Sequence, residues 1–373
     1  MKKTALPKLI VAPSEHDADM LYATGFFVPD AFIFLEQGGK RTVVLSDLEV
    51  DRGKKEAQVD EVVPLSEISK TLKKGKDAPF VEHLAAFLKS RKVTKAAVPS
   101  SFPLGLANQL AKAGIKLEPQ SGLFFAEREH KTEAELKLLR QALIITEAGM
   151  ARGIEVLKAA EIGPKKALRW GGKPLTSEIL RAEIDSAILR AGGTPANTIV
   201  AGGEQACDPH DRGTGPLRAH ELIILDIFPR ASKSGYFGDM TRTVVRGQAT
   251  DAQWRMWEVC LTGQMRALQA IKPGVVGKKL QDEIRQLFTD EGYPTEQRDG
   301  RWTGFFHGLG HGLGLEIHES PRIGTTTFTV GQVVTVEPGI YVPGVGGVRH
   351  EDVVTVTPQG NRLLSKFPKT LEI

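Results

Sequence analysis

The chain has 373 residues, of which 41% are hydrophobic and 25% are charged. This length exceeds that of most single domains, and the composition is typical of a globular protein rather than a disordered or fibrous one. The net charge of +4 is small for the length, and no Lys/Arg block with interleaved aromatic residues occurs, which disfavours nucleic-acid binding.

The cysteine count and the N-terminus bear on location. Cys207 and Cys260 are too few for a disulfide framework, which favours a reducing cytoplasm. The first residues, MKKTALPKLIVAPSEHD, begin like a secretion signal, but Pro7 and Lys8 interrupt the short apolar stretch. Because no apolar run of about eighteen residues occurs, no membrane-spanning segment is expected.

Residues 1–126 are predicted to form a small α/β domain without catalytic chemistry. Its acids and histidines show no ligand spacing. Gly114 follows a helical stretch where a C-terminal cap is expected. The predicted strands are 31–37, 41–47, 61–65, 95–100 and 115–120, and the predicted helices are 80–93 and 104–114.

Residues 127–373 are predicted to form a second, α+β domain. Thr132 and Glu135 have the spacing of a capping box, which opens a helix over 132–160. The same order of elements, two helices followed by strands, then occurs twice along the chain, which predicts a pseudo-two-fold arrangement. Its segments are helices 132–160 and 176–191, strands within 197–246, helices 251–271 and 277–291, and strands within 302–356.

Acidic residues interrupt or border the apolar strands of both halves. Ionised carboxylates are almost never buried unless they are paired or bind a metal. Together with one histidine they make a set of one imidazole and four carboxylates, which predicts a dinuclear site for divalent metals. The predicted ligands are Asp226, Asp239, His311, Glu337 and Glu351. A structural zinc site would be expected to use thiolates, which are not available here.

Three of the nine histidines lie within RWTGFFHGLGHGLGLEIHE, residues 301–319. Frequent glycines disfavour a helix there, so an extended stretch is expected. In such a stretch His307 and His311 point to one face, because the side-chain period is two. His318 is expected to reach the same site from beyond a turn.

These motifs, in this order, resemble the pita-bread metallopeptidases. That group holds methionine aminopeptidase, prolidase, aminopeptidase P and the metal-free creatinase. The resemblance rests on HGLGHGLGLEIHE, SGYFGDMTRT, VEPGIY and RHED, and spans about residues 130–365. It implies that the same five residues are the metal ligands. By the same resemblance, the N-terminal domain covers the substrate cleft and takes part in homodimer contacts.

The resemblance also implies roles for other residues. His210, in the Pro/Gly-rich loop CDPHDRGTGPL, is expected to bind substrate, and His318 to handle the leaving group. His307 matches a third histidine of the pocket. Glu337 or Glu351 is expected to act as general base. Arg349 is expected to pair with Asp226 or a neighbouring acid, or to contact substrate, with an ordinary surface salt bridge as the alternative.

Two features depart from the family. Asp226 and Asp239 lie thirteen residues apart, two more than is usual. A hairpin loop can absorb this insertion, since loop closure depends only weakly on length. His350 stands where an apolar residue is usual, and it is expected either to extend the polar wall of the cleft or to face solvent.

The expected activity is that of a cytoplasmic enzyme removing an N-terminal residue before proline. Two divalent ions are expected, with Mn²⁺ first and Co²⁺, Zn²⁺ or Fe²⁺ as alternatives. The other hypotheses are a prolidase that splits Xaa-Pro dipeptides, a creatinase-like hydrolase and a peptide-binding module. Because the motifs show no arginine specific to carboxylate capture, substrates longer than dipeptides are expected. Arg349, His350 and Arg230 are the candidates for closing the cleft.

Overall fold

The computed structural model describes residues 6–373, so the first five residues of the signal-like stretch lie outside the described part. The chain divides into two compact units, Met1–Arg128 and Glu129–Ile373. Within residues 6–373, no helix has both the length and the apolar character needed to cross a membrane.

The first unit is a mixed sheet covered by helices, with strand order β4-β3-β2-β1-β5-β6. Its strands are β1 (Lys8–Ala12), β2 (Phe32–Gln37), β3 (Lys40–Leu45), β4 (Glu61–Pro64), β5 (Lys95–Pro99) and β6 (Lys116–Gln120). Its helices are α1 (Ala18–Thr24), α2 (Val50–Glu56), α3 (Leu65–Ser69), α4 (Phe80–Ser90) and α5 (Leu104–Lys112).

The sheet of the first unit is buried on both faces. Along β1, Leu9 and Val11 pack in one apolar cluster and Ile10 packs in the other, as the two-residue period of a strand requires. The five predicted strands are present, whereas β1 was missed because its sequence was interpreted as an interrupted signal. Gly114 follows α5 with a φ of +84°, a conformation that favours glycine.

The second unit contains two long helix pairs. The helices are α6 (Glu133–Ala159), α7 (Ser177–Arg190), α8 (Asp251–Ala270) and α9 (Gly277–Asp290). Capping boxes open α6 at Thr132 and α8 at Thr250, so the first helix of each repeated unit begins with the same N-terminal capping motif.

Both helix pairs cross closely at a glycine. A methyl group added to Gly149 of α6 would lie 2.8 Å from the Ile188 side chain of α7. The same addition to Gly263 of α8 would lie 2.4 Å from the Phe288 ring of α9. This shared contact supports the predicted repeat of two helices followed by strands, although the two halves differ in their strands.

The strands of the second unit form two three-stranded sheets, one five-stranded sheet and smaller pairings. One three-stranded sheet has the order β11-β12-β14, the other has the order β7-β8-β9, and the five-stranded sheet has the order β18-β17-β19-β22-β23. The strands are β7 (Glu161–Ile162), β8 (Leu168–Trp170), β9 (Lys173–Pro174), β10 (Gly193–Thr194), β11 (Ile199–Gly202), β12 (Leu222–Ile227), β13 (Arg230–Ala231), β14 (Met240–Val245), β15 (Glu296–Arg298), β16 (Arg301–Thr303), β17 (His311–Gly312), β18 (Glu319–Arg322), β19 (Val333–Val336), β20 (Gly339–Val342), β21 (Gly346–Arg349), β22 (Asp352–Thr357) and β23 (Gly360–Leu363).

Candidate metal centre

The first pair of acids stands at one end of an antiparallel hairpin. Asp226 of β12 pairs with Thr241 of β14, and Asp239 directly precedes β14. The longer connection between them is tied down, because its strand β13 pairs with β10. The insertion is therefore absorbed in the loop, and both carboxylates remain at the ends of their strands.

The second pair of acids is placed by the ladder between β19 and β22. Val336 pairs with Asp352, so Glu337 and Glu351 lie next to each other just beyond the last pair of this ladder. His311 begins β17, the neighbour of β19 in the same sheet. Between residues 305 and 318, only His311–Gly312 forms a strand, so the continuous extended stretch expected from sequence is absent and residues 305–310 are irregular.

His311 is oriented toward the carboxylates. Its Nδ1 lies 3.1 Å from the Gly312 carbonyl, which can only accept, so Nδ1 carries the proton. Its Nε2 then offers a lone pair 3.6 Å from Asp239 and 3.4 Å from Glu337. Ligand atoms of Asp239, His311 and Glu351 all lie within 4.8 Å of one another. This spacing can hold a metal ion.

The carboxylates repel one another in a buried setting. Burial, followed by repulsion from Glu351, Asp226 and Glu337, raises the pKa of Asp239 well above its usual range. Burial and the same kind of repulsion also raise the pKa of Glu351. Burial raises the pKa of Glu337 to about 7, while Arg349 acts in the opposite direction. Bound cations would relieve this excess of negative charge.

Asp226 has one oxygen committed and one free. Its Oδ2 accepts a hydrogen bond of 2.7 Å from Arg349. Its Oδ1 is buried, and no described residue hydrogen-bonds to it. An unsatisfied buried acceptor costs about 1–3 kcal/mol, more when it is charged, and a divalent cation would satisfy it. The donor set of four carboxylates and one neutral imidazole therefore suits hard divalent ions.

Arg349 is held in place by a buried network. Its guanidinium donates to Asp226, to the Tyr341 hydroxyl (2.9 Å) and to Thr241 Oγ1 (3.3 Å). Tyr341 in turn contacts His307 Nε2 at 2.9 Å, and His307 Nδ1 lies 2.9 Å from the carbonyl of the next residue. Since that carbonyl only accepts, His307 Nδ1 carries the proton and Nε2 accepts from Tyr341. The pairing of Arg349 with Asp226 that the sequence predicted is thus present.

His318 and His210 stand closer to solvent. The His318 ring packs edge-on against His311 with 4.4 Å between ring centroids. Burial, then the positive charge of Arg322, lowers the pKa of His318, so the ring is neutral near neutral pH. His210 is exposed on its loop, where its backbone N–H donates to Asp208.

A cavity of about 760 Å³ joins these groups, and all of its lining belongs to the second unit. Apolar lining includes Ile199, Phe228, Phe306 and Ile317. Every residue predicted from sequence as a ligand, catalytic group or substrate contact lines this cavity: Asp226, Asp239, His311, Glu337, Glu351, His210, His307, His318 and Arg349.

Arg322 also lines the cavity and was missed from sequence. It pairs directly with His311 between β17 and β18, and directly paired residues share one face of a sheet. It is exposed, and no described residue forms an ion pair with it. Within one strand, the odd spacing of eleven from His311 would predict the opposite face. Only the hairpin register reveals the placement.

Two residues proposed to close the cleft lie elsewhere. His350 is fully buried, contrary to expectation, because it follows Arg349 and alternation sends its side chain to the opposite face. It packs edge-on against Trp257, and burial lowers the pKa of His350 to about 3. The Arg230 Nε donates to the Gly235 carbonyl within its own loop, and Arg230 is not among the residues lining the cavity.

Comparison with known proteins finds related peptidases. The profile of a family described as metallopeptidase family M24 matches residues 137–358. An Xaa-Pro dipeptidase of Pyrococcus horikoshii is 28% identical over 378 residues, covering 100% of this chain and 96% of that protein.

Solved structures with related names are similar along nearly the whole chain. An Xaa-Pro dipeptidase from Bacillus anthracis has a TM-score of 0.82 and 25% identity, covering 98% of this chain and 95% of its own. An X-Pro aminopeptidase from Thermotoga maritima has a TM-score of 0.83 and 25% identity, covering 98% and 97%. Backbone similarity therefore does not favour either of the two named activities.

Proposed function

Because the chain belongs to metallopeptidase family M24, we propose that it hydrolyses the peptide bond preceding proline in Xaa-Pro substrates. The observation that carries the proposal is the cluster of repelling buried carboxylates on the wall of a cavity large enough for a short peptide. The names of the relatives supply the preference for proline.

The proposed site binds two divalent ions. Asp226, Asp239, His311, Glu337 and Glu351 are the proposed ligands, supported by their shared cavity and by the free Oδ1 of Asp226. When bound, such ions supply Lewis-acid polarisation of the scissile carbonyl and of the attacking water. Among the described residues, Arg349 forms the direct ion pair with one of these acids, Asp226, and Arg322 also lowers the pKa of Glu337 through its charge.

Glu337 is the proposed proton acceptor. Its side chain is 18% exposed, whereas Glu351 as a residue is only 2% exposed and accepts a 2.8 Å hydrogen bond from Thr241. Glu337 therefore has the better access to a water molecule in the cavity. A base placed within hydrogen-bonding reach of the attacking water takes its proton as the carbonyl is attacked.

The histidines are proposed to act on the substrate. His318 is neutral beside His311, so one ring N–H can donate to the oxyanion that develops on the carbonyl. His210 is exposed on its loop and can bind the part of the substrate beyond the scissile bond. His307 is proposed to act indirectly, because its Nε2 is engaged by Tyr341.

Arg322 favours dipeptides over longer peptides, unlike the preference drawn from sequence. An arginine that faces the cavity and has no acidic partner among the described residues is suited to a free terminal carboxylate. A longer peptide would place an uncharged amide there. We therefore propose that Xaa-Pro dipeptides are the preferred substrates.

The test compares kcat/KM for Ala-Pro and Ala-Pro-Ala in the wild type and in Arg322→Met. We expect the wild type to prefer the dipeptide and the variant to lose that preference by about tenfold or more, because a charge-assisted contact is removed. A wild-type preference for Ala-Pro-Ala would instead support an aminopeptidase. Failure to cleave either substrate would refute Xaa-Pro hydrolysis.

A further inference from the structure

Gln281 of α9 lines the same cavity, and its orientation is fixed by one hydrogen bond. Its Oε1 accepts from the Leu309 backbone N–H at 3.1 Å. A backbone N–H can only donate, so the oxygen end of the amide must face Leu309. The amide nitrogen Nε2 is then the end directed away from Leu309.

The two N–H donors of Nε2 are unused within residues 6–373, where no hydrogen bond from this group occurs. Gln281 is also close to the segment that carries Arg322. A methyl group added to Gly324, two residues after Arg322, would lie 3.2 Å from Gln281 Oε1. An arginine and an amide donor thus belong to one side of the cavity, and both are suited to an acceptor-only group such as a carboxylate.

We propose that Gln281 is a specificity-determining residue that donates a hydrogen bond from Nε2 to the terminal carboxylate of an Xaa-Pro dipeptide, alongside Arg322. This inference rests on the proposed function and extends it to a second group that recognises the free acid. Arg322 supplies the charge, and Gln281 supplies a donor whose direction is set by its contact with Leu309.

The test uses Gln281→Glu in the full chain loaded with Mn²⁺. The substitution keeps an oxygen for Leu309 but replaces the N–H donors with an acidic oxygen that repels a substrate carboxylate. We expect kcat/KM for Ala-Pro to fall about tenfold or more, mainly through KM, because a hydrogen bond to a charged group is lost. We expect kcat/KM for Ala-Pro amide, which lacks the carboxylate, to change less than about twofold.

Two controls separate this contact from other effects. Gln286→Glu makes the same charge change at an exposed position of the same helix and should leave both substrates unaffected. Gln281→Met removes the donors, together with the oxygen that accepts from Leu309, without adding charge, and it should weaken Ala-Pro selectively but less than Gln281→Glu does.

Equal losses on the acid and the amide, or no loss on either, would overturn the role of Gln281 while leaving Xaa-Pro hydrolysis intact. Calorimetric binding of L-proline and L-prolinamide gives the same contrast without turnover. If the wild type failed to hydrolyse Ala-Pro, the proposed function would be wrong. The contact would still be supported if Gln281→Glu weakened the binding of L-proline but not that of L-prolinamide. Unchanged L-proline binding would overturn it.

Discussion

Asp352 and Glu351 are adjacent buried carboxylates in opposite environments. Asp352 accepts hydrogen bonds from Arg242 (2.9 Å), Ser365 (2.8 Å) and Gln264 (3.2 Å), and it forms an ion pair with Lys369. Burial alone would raise the pKa of Asp352, but Arg242 and Lys369 outweigh it and hold the pKa below its usual range. This cluster is complete without a ligand.

Glu351 points to the other face, as alternation along the chain requires. There it meets Thr241 and three other carboxylates, the charge of Arg349 only partly offsets their repulsion, and its pKa is raised. A buried carboxylate with its own cations needs no ligand and is costly to disrupt, whereas a buried group of carboxylates short of cations indicates a site that binds them. The two neighbours should therefore respond differently to substitution.

The largest effect is expected for Glu351→Ala. Loss of a proposed ligand should lower kcat/KM by about a thousandfold or more and reduce bound metal in parallel. The negative charge of the carboxylate would hold the divalent cations, and the cations would polarise the substrate. Metal analysis and Xaa-Pro kinetics measure both. In chelator-treated protein the variant should unfold at no lower temperature than the wild type, since repulsion has been removed. A variant that retained full metal and activity would contradict the assignment.

Asp352→Ala should act on stability instead. Leaving the buried Arg242 and the partly buried Lys369 without their acidic partner should cost about 3–5 kcal/mol in the free energy of unfolding. Urea unfolding measures this cost, and it should be similar with and without added metal. If the loss appeared only in the metal-loaded protein, Asp352 would belong to the metal site and the contrast with Glu351 would fail.

His318→Ala is expected to separate chemistry from metal binding. Turnover should fall about a hundredfold to a thousandfold, as for loss of one donor to an oxyanion, with bound metal and fold unchanged. Glu316→Ala, an exposed change two residues earlier, serves as the control. Loss of metal from the His318 variant would place this histidine among the ligands.

The smallest predicted effect is a pH dependence of the metal-free protein. Burial raises the pKa of Glu337 from 4.5 to about 7, so between these values the folded state holds more protons than the unfolded state. The stability difference between chelated wild type and chelated Glu337→Gln should therefore fall as pH rises through this window, and this comparison cancels the opposite contribution of buried histidines such as His350, whose pKa is lowered. Thermal unfolding of both proteins at several pH values checks the sign, and saturating Mn²⁺ should reverse the trend. A rise of this difference across the window without metal would contradict the raised pKa.

The proposed ligands could be located from sequence because each lies in or beside a strand within a recognisable motif, whereas His210 and His307 were located by their motifs alone, since both lie in irregular segments. Acids placed at the ends of apolar strands are informative wherever they fall in the chain. Arg322 and Gln281 could not be found in this way. The direction of the Arg322 side chain depends on the register of the hairpin. The direction of the Gln281 amide depends on one contact between α9 and the glycine-rich stretch.

His350 also shows that a motif does not predict the direction of every side chain within it. It lies inside a ligand motif, yet alternation buries it against Trp257, away from the cavity. A motif identifies which segment reaches a site, but the alternation of side chains between the two faces of the strand decides which of them enter it. This alternation is hard to infer from sequence where a strand is as short as β17, which has two residues.

The most direct test of the central claim is metal stoichiometry, measured after chelation and reconstitution with Mn²⁺ and repeated on Glu351→Ala and Asp352→Ala. The account predicts about two ions per chain in the wild type and in the folded Asp352 variant, and a clear loss in the Glu351 variant. Fewer than about one ion per wild-type chain would contradict a dinuclear centre, whatever the peptidase activity.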